Sequence, residues 1–116
     1  MSKSLHDNIE VVESGYEFLL AYAAQGRESD QGAGGSEVRT TLTGMSEAAA
    51  SISASLRSNE SDFGAVVVDD ARKAGAAIAL VLSQEKISSE LIDNLNASIH
   101  LRALLTDLFL LSETTT

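Results

Sequence analysis

The chain has 116 residues, and its 17 acidic and 8 basic residues give a formal net charge of −9 at neutral pH. It contains no cysteine and no proline, which excludes disulfides and thiolate chemistry and favours long, unkinked helices. Such an acidic surface disfavours binding to nucleic acid and to anionic membranes. The sequence has neither the apolar core of a signal peptide nor the roughly 20-residue apolar run of a membrane span, so we expect a single cytoplasmic domain.

The first predicted helix covers residues 4–25. Ser4 fits an N-cap, and Asp7 would lie in the first turn, where an acidic side chain interacts favourably with the helix dipole. The apolar residues follow one face at alternating spacings of four and three: Leu5, Ile9, Val12, Tyr16, Leu19 and Ala23. Residues 26–35 contain four glycines among polar residues and predict a flexible loop.

Two further helices are predicted over residues 36–57 and 63–84, with Ser36 and Asp62 as N-caps. The second helix repeats the alternating spacing at Val38, Leu42, Met45, Ala49, Ile52 and Leu56. The third places Val67, Ala71, Ala74, Ile78 and Val81 on one face. This spacing is typical of helices that pack side by side at about +20°.

The fourth predicted helix, residues 88–111, carries two apolar stripes on nearly opposite faces. The first stripe comprises Leu91, Ile92, Leu95, Ile99, Phe109 and Leu110. The second comprises Ala97, Leu101, Leu104, Leu108 and Leu111. Because a bundle helix normally keeps one face in water, we expect the second stripe to contact another chain.

These elements predict an all-α fold, namely an antiparallel up-down-up-down four-helix bundle that forms oligomers. The first functional hypothesis is an interaction protein, acting as an adaptor or a structural subunit. It would form a homodimer, or dock on a larger protein, through the second stripe of its C-terminal helix.

A second hypothesis is a ligand-binding or sensor bundle. Asp70 lies beside the apolar face of the third helix, and Arg102 lies near the centre of the first stripe. An ion pair across the bundle would accommodate both. Alternatively, these two residues and Tyr16 would line a small polar site for a ligand.

His100 suggests a third function. Asp93, His100 and Asp107 recur every seven residues, and an exposed histidine in a small bundle resembles histidine phosphotransfer domains. Arg102 and Ala103 supply the basic and small residues of that pattern, at other offsets. Bonding to Asp93 or Asp107, or simple solvation, is the alternative role for this histidine.

No motif in the sequence predicts catalysis, a cofactor or a metal site. The stripe of His6, Glu10, Glu13 and Glu17 has no Glu-x-x-His pair and is predicted to be a solvated acidic face. The chain also lacks a nucleophile elbow and a phosphate-binding loop. We therefore expect a protein that is not an enzyme.

Overall fold

The computed structural model describes residues 4–32, 35–57 and 61–114. These ranges form five helices: α1 (Leu5–Ala23), α2 (Ser36–Arg57), α3 (Asp62–Leu82), α4 (Ser89–Ala97) and α5 (Ile99–Thr114). The described ranges contain no strand, so the all-α class is confirmed. Helix α2 packs against α1 and α3, while α4 packs mainly on α1 and α5 mainly on α3. Within these ranges no helix combines the length and apolarity needed to cross a membrane.

Serine side chains cap the starts of four of the described helices; one of them is Ser98, whose hydroxyl accepts from the backbone N–H of Leu101 in α5 at 3.5 Å. The Ser4 hydroxyl accepts a hydrogen bond from the backbone of Asp7, whose carboxylate accepts one from the backbone of Ser4, which completes a capping box. Ser61, rather than the predicted Asp62, caps α3. Ser88 caps α4. The predicted cap at Ser36 concerns a side chain outside the described part of the chain.

The core follows the predicted faces of α2 and α3, whose apolar positions are all buried. Helix α1 differs, because Tyr22 is fully buried and Tyr16 only partly so. The line of contact on α1 runs through Gly15, where the side chain of Met45 on α2 approaches the backbone too closely for a Cβ atom. The fully buried tyrosine of α1 is therefore Tyr22 rather than Tyr16, which the apolar spacing placed on the buried face.

The fourth predicted helix is broken at Ser98. This residue has an extended backbone (φ −64°, ψ 142°), which ends α4 and starts α5. The buried face of α4 is centred near Ile92, whereas the buried leucines of α5 lie roughly half a turn away on a continuous helical wheel. The α4 part of the first stripe is thus the core face of α4, and the second stripe is mainly the core face of α5.

The described part of the predicted flexible loop, residues 26–32 and 35, is tied to the rest of the bundle. Asp30 accepts hydrogen bonds from Arg39 Nε at 2.6 Å and from the backbone N–H of Ile87 at 2.9 Å. The backbone N–H groups of Arg27 and Ser89 donate to the Ser89 hydroxyl and the Arg27 carbonyl, both at 2.8 Å. Residues 33–34 of that predicted loop lie outside the described ranges.

Candidate interaction surface on helix α5

Helix α5 directs most of its leucines, though not Leu110, into the chain's own core. Leu101, Leu104 and Leu108 are almost completely inaccessible to solvent, and Leu111 is half-buried. Of the predicted interface only Ala97, at the end of α4, is exposed. The expectation that this stripe faces outward is corrected, because the break at Ser98 turns these residues inward.

The outward face of α5 carries three large apolar side chains that solvent reaches. Ile99, Phe109 and Leu110 are 72%, 53% and 50% exposed. At 100° per residue, they lie within about a quarter of the helix circumference, together with three exposed polar residues. Those polar residues are Arg102, Thr106 and Glu113. We call these six residues the outer α5 face.

The two charges of the outer α5 face have opposite signs and lie three helical turns apart. Arg102 and Glu113 are separated by eleven residues, or about 16 Å along the helix axis. Neither forms an ion pair with another described residue. A helix with a cation near one end and an anion near the other is complementary to an antiparallel copy of itself.

The inner face of α5 contains one acidic residue, Asp107. Asp70 on the facing helix α3 is near enough to affect its pKa, and one of the carboxyl oxygens of Asp107, Oδ2, is inaccessible and bonded to no protein donor. Burial, and secondarily the hydrogen bond and the charge of Asp70, raise the pKa of Asp107 from 3.8 to about 7. The two carboxyl groups can bond each other only when one holds a proton.

The ion pair predicted between Asp70 and Arg102 is wrong. Asp70 lies against Asp107, whereas Arg102 lies on the exposed side of α5. Asp107 lies on the inner side of α5 and Arg102 lies on its outer side, so only one of them can approach Asp70. The structure places Asp107 there. Among the described residues, no hydrogen bond joins Tyr16 to Asp70 or Arg102.

His100 is exposed in the first turn of α5 and bonds neither Asp93 nor Asp107. The break at Ser98 and the inward turn of Asp107 separate these three residues, which the sequence predicted to share a face. His6 instead approaches Glu10 on the exposed side of α1, at 3.3 Å. In the part of the chain that the structure describes, no three acidic or histidine side chains come together as a metal site would require.

Two features of the inner structure were missed by reasoning from the sequence. The first is Asp107, which lies close to Leu104 and Leu108 on the helix and is therefore on the inner face of α5. It was missed because the break at Ser98, which determines that this face is buried, was not predicted. Asp30 and Arg39 carry no signal in the sequence, because they are distant in sequence from the carbonyls and the N–H group that they bind.

Comparison of the chain with protein-family models, with curated proteins and with solved structures finds no match.

Proposed function

We propose that this protein is a small acidic structural or adaptor subunit that forms a homodimer through the outer α5 face. The supporting observation is the exposure of Ile99, Phe109 and Leu110 on one side of a helix whose opposite side is already filled by core leucines. Exposed apolar side chains gathered on one face are typical of protein interaction surfaces.

The bundle that presents this face is proposed to have up-down-up-down topology, with α4 and α5 together replacing a continuous fourth helix. Hydrogen bonds between sequence-distant helix ends support this arrangement. Arg39 at the start of α2 donates to the carbonyl of Leu82 at the end of α3, and Asn96 on α4 donates to the carbonyl of Leu19 on α1. We expect such a cysteine-free, acidic bundle to act in the cytoplasm.

A second copy of the chain fits the outer α5 face because of its charges. In an antiparallel pair of α5 helices, Arg102 of each copy would lie opposite Glu113 of the other, and Phe109 would lie near Thr106. The same surface then serves both copies, as a two-fold symmetric contact requires. The net charge of −9 on each chain opposes this association, so moderate salt is expected to strengthen it by screening.

Sedimentation velocity over a micromolar to submillimolar concentration series tests the proposal. The wild-type protein should show a concentration-dependent shift from monomer to dimer, and Phe109→Asp should remain monomeric because it places a charge in the apolar contact. Leu80→Asp on α3 is the matched control, since Leu80 is 67% exposed but lies outside the outer α5 face. A wild-type protein that is monomeric throughout, or a dimer weakened equally by both variants, would overturn the proposal.

A further inference from the structure

The contact between α5 and α3 contains two acidic side chains and no basic one. Asp107 is 7% exposed, and its Oδ2 atom receives no hydrogen bond from the protein. Asp70, on the facing helix α3, is half-buried and near enough to affect the pKa of Asp107. Two carboxylates in such a setting repel each other and both lose solvation, whereas a carboxyl–carboxylate pair gains a hydrogen bond.

Among the described residues, no neighbouring charge relieves this repulsion. Helix α5 contacts α1, α3 and α4, and the buried faces of α1 and α4 carry polar asparagines, Asn8 and Asn96, but no charged residue. The nearest cations on α3 bind Asp69 instead, through Arg72 at 3.1 Å and Lys73 at 3.2 Å. Arg102 on α5 itself lies on the exposed side of the helix.

We propose that a proton shared between Asp70 and Asp107 holds α5 against α3, and that loss of this proton to solvent loosens α5 from the bundle. The contact is then a pH-sensitive element in the fold. It does not depend on dimerisation, because both carboxyl groups lie between helices of one chain.

The consequence for the molecule is confined to its C-terminal helix. The interhelical hydrogen bonds of Arg39 and Tyr22 involve no shared proton. Deprotonation of the pair should therefore increase local opening of α5 while the α2–α3 contact stays closed, which is the behaviour of a locally unstable segment rather than of global unfolding.

Hydrogen exchange and a carboxyl NMR titration test this proposal. The Phe109→Asp variant is used as the background, so that dimerisation cannot protect α5. The Asp107 carboxyl signal should titrate near pH 7, well above the ordinary value of 3.8. Between pH values about two units below and above that midpoint, protection of α5 amides, corrected for intrinsic exchange, should fall roughly tenfold or more relative to α2.

Two substitutions in the Phe109→Asp background test whether the Asp107 carboxyl group holds the proton that causes the pH effect. Asp107→Asn supplies an amide donor in place of the carboxyl proton, so its α5 protection should be high and the same at both pH values. Asp69→Asn, which changes the adjacent exposed carboxylate, should retain the full pH effect. An Asp107 signal that titrates near 3.8, unchanged α5 protection across the range, or an Asp107→Asn variant that keeps the pH effect would each overturn the proposal. If Asp107→Asn fails to fold, the titration and the exchange of the background protein decide the matter.

Discussion

The guanidinium group of Arg39 binds the carboxylate of Asp30 at 2.6 Å and, with its remaining N–H groups, the last carbonyl of α3 and two carbonyls of the loop that follows it. The carbonyl acceptors are those of Leu82, Gln84 and Glu85, at 3.2, 2.8 and 2.9 Å. Carbonyls at a helix C-terminus have no partner within the helix and carry partial negative charge. One side chain at the start of α2 therefore caps α3 and fixes the loop after α1.

Replacing Arg39 by alanine should lower the free energy of unfolding by about 2 kcal/mol, because the Asp30 carboxylate and the backbone carbonyls lose their hydrogen-bond donor. Urea denaturation measures the change. Arg72→Ala is the matched control: its ion pair with Asp69 is exposed, and its loss should cost less than about 0.5 kcal/mol. Equal effects of the two substitutions would show that the Arg39 contacts add nothing to an ordinary surface pair.

The buried hydroxyl of Tyr22 gives a second prediction. It donates to the Ile87 carbonyl at 2.6 Å, so Tyr22→Phe removes one hydrogen bond and little volume. The free energy of unfolding should fall by about 1 kcal/mol. Tyr16 makes no comparable bond among the described residues, and Tyr16→Phe should change stability by less than about 0.5 kcal/mol. A Tyr22→Phe variant with the same free energy of unfolding as the wild-type protein would contradict the structural role given to this hydroxyl.

Two helical glycines should respond to alanine with opposite signs. At Gly15 a Cβ atom would lie 2.5 Å from Cγ and 2.6 Å from Sδ of Met45, so Gly15→Ala must displace a buried side chain. We expect a loss of about 1 kcal/mol even after the gain in helix propensity. At Gly75 a Cβ atom would meet nothing within 4 Å, and Gly75→Ala should stabilise α3 by about 0.5–1 kcal/mol. Thermal or urea unfolding measures both changes in stability. If both substitutions change stability in the same direction, the close approach of α1 and α2 is refuted.

The stability of the whole chain should depend on pH through Asp107. Burial and Asp70 raise the pKa of this group from 3.8 to about 7 in the folded state, so the folded protein keeps a proton that the unfolded chain has lost. The contribution of Asp107 to the free energy of unfolding therefore falls as pH rises from about 4 to about 7, by at most roughly 1.4 kcal/mol per pH unit, and is constant outside that window.

Asp107→Asn isolates this contribution, because other carboxyl groups titrate in the same range. The difference in urea-derived stability between Asp107→Asn and the wild-type protein should grow in favour of the variant across the window. A difference that is independent of pH would mean that Asp107 titrates alike in the folded and unfolded chain.

The helices were largely predictable from the sequence because apolar spacing records which side of a helix is buried. Val38, Leu42 and Ile52 on α2 follow the pattern and are all buried. The break at Ser98 was not predicted, since it involves neither glycine nor proline and since apolar residues continue on both sides of it. Counting through the break placed the core leucines of α5 on the outside.

The interhelical polar contacts could not be predicted, because they join residues that the fold alone brings together. Asp30 is 57 residues from Ile87, to whose N–H it bonds. Asp70 was expected to meet a cation, since a buried anion usually does, and the structure places a second carboxyl group there instead. Sequence spacing shows that a charged residue borders the core but does not show which residue lies opposite.

The most direct test of the outer α5 face uses the absence of cysteine from the chain. A single cysteine introduced by Thr106→Cys lies in the middle of the face, and one introduced by Ser51→Cys lies at an exposed position of α2. If two copies meet through antiparallel α5 helices, a short bis-maleimide should link Thr106→Cys into a covalent dimer rapidly and in high yield, and Ser51→Cys only slowly. Equal cross-linking of the two variants, or none at Thr106→Cys, would contradict the proposed dimer.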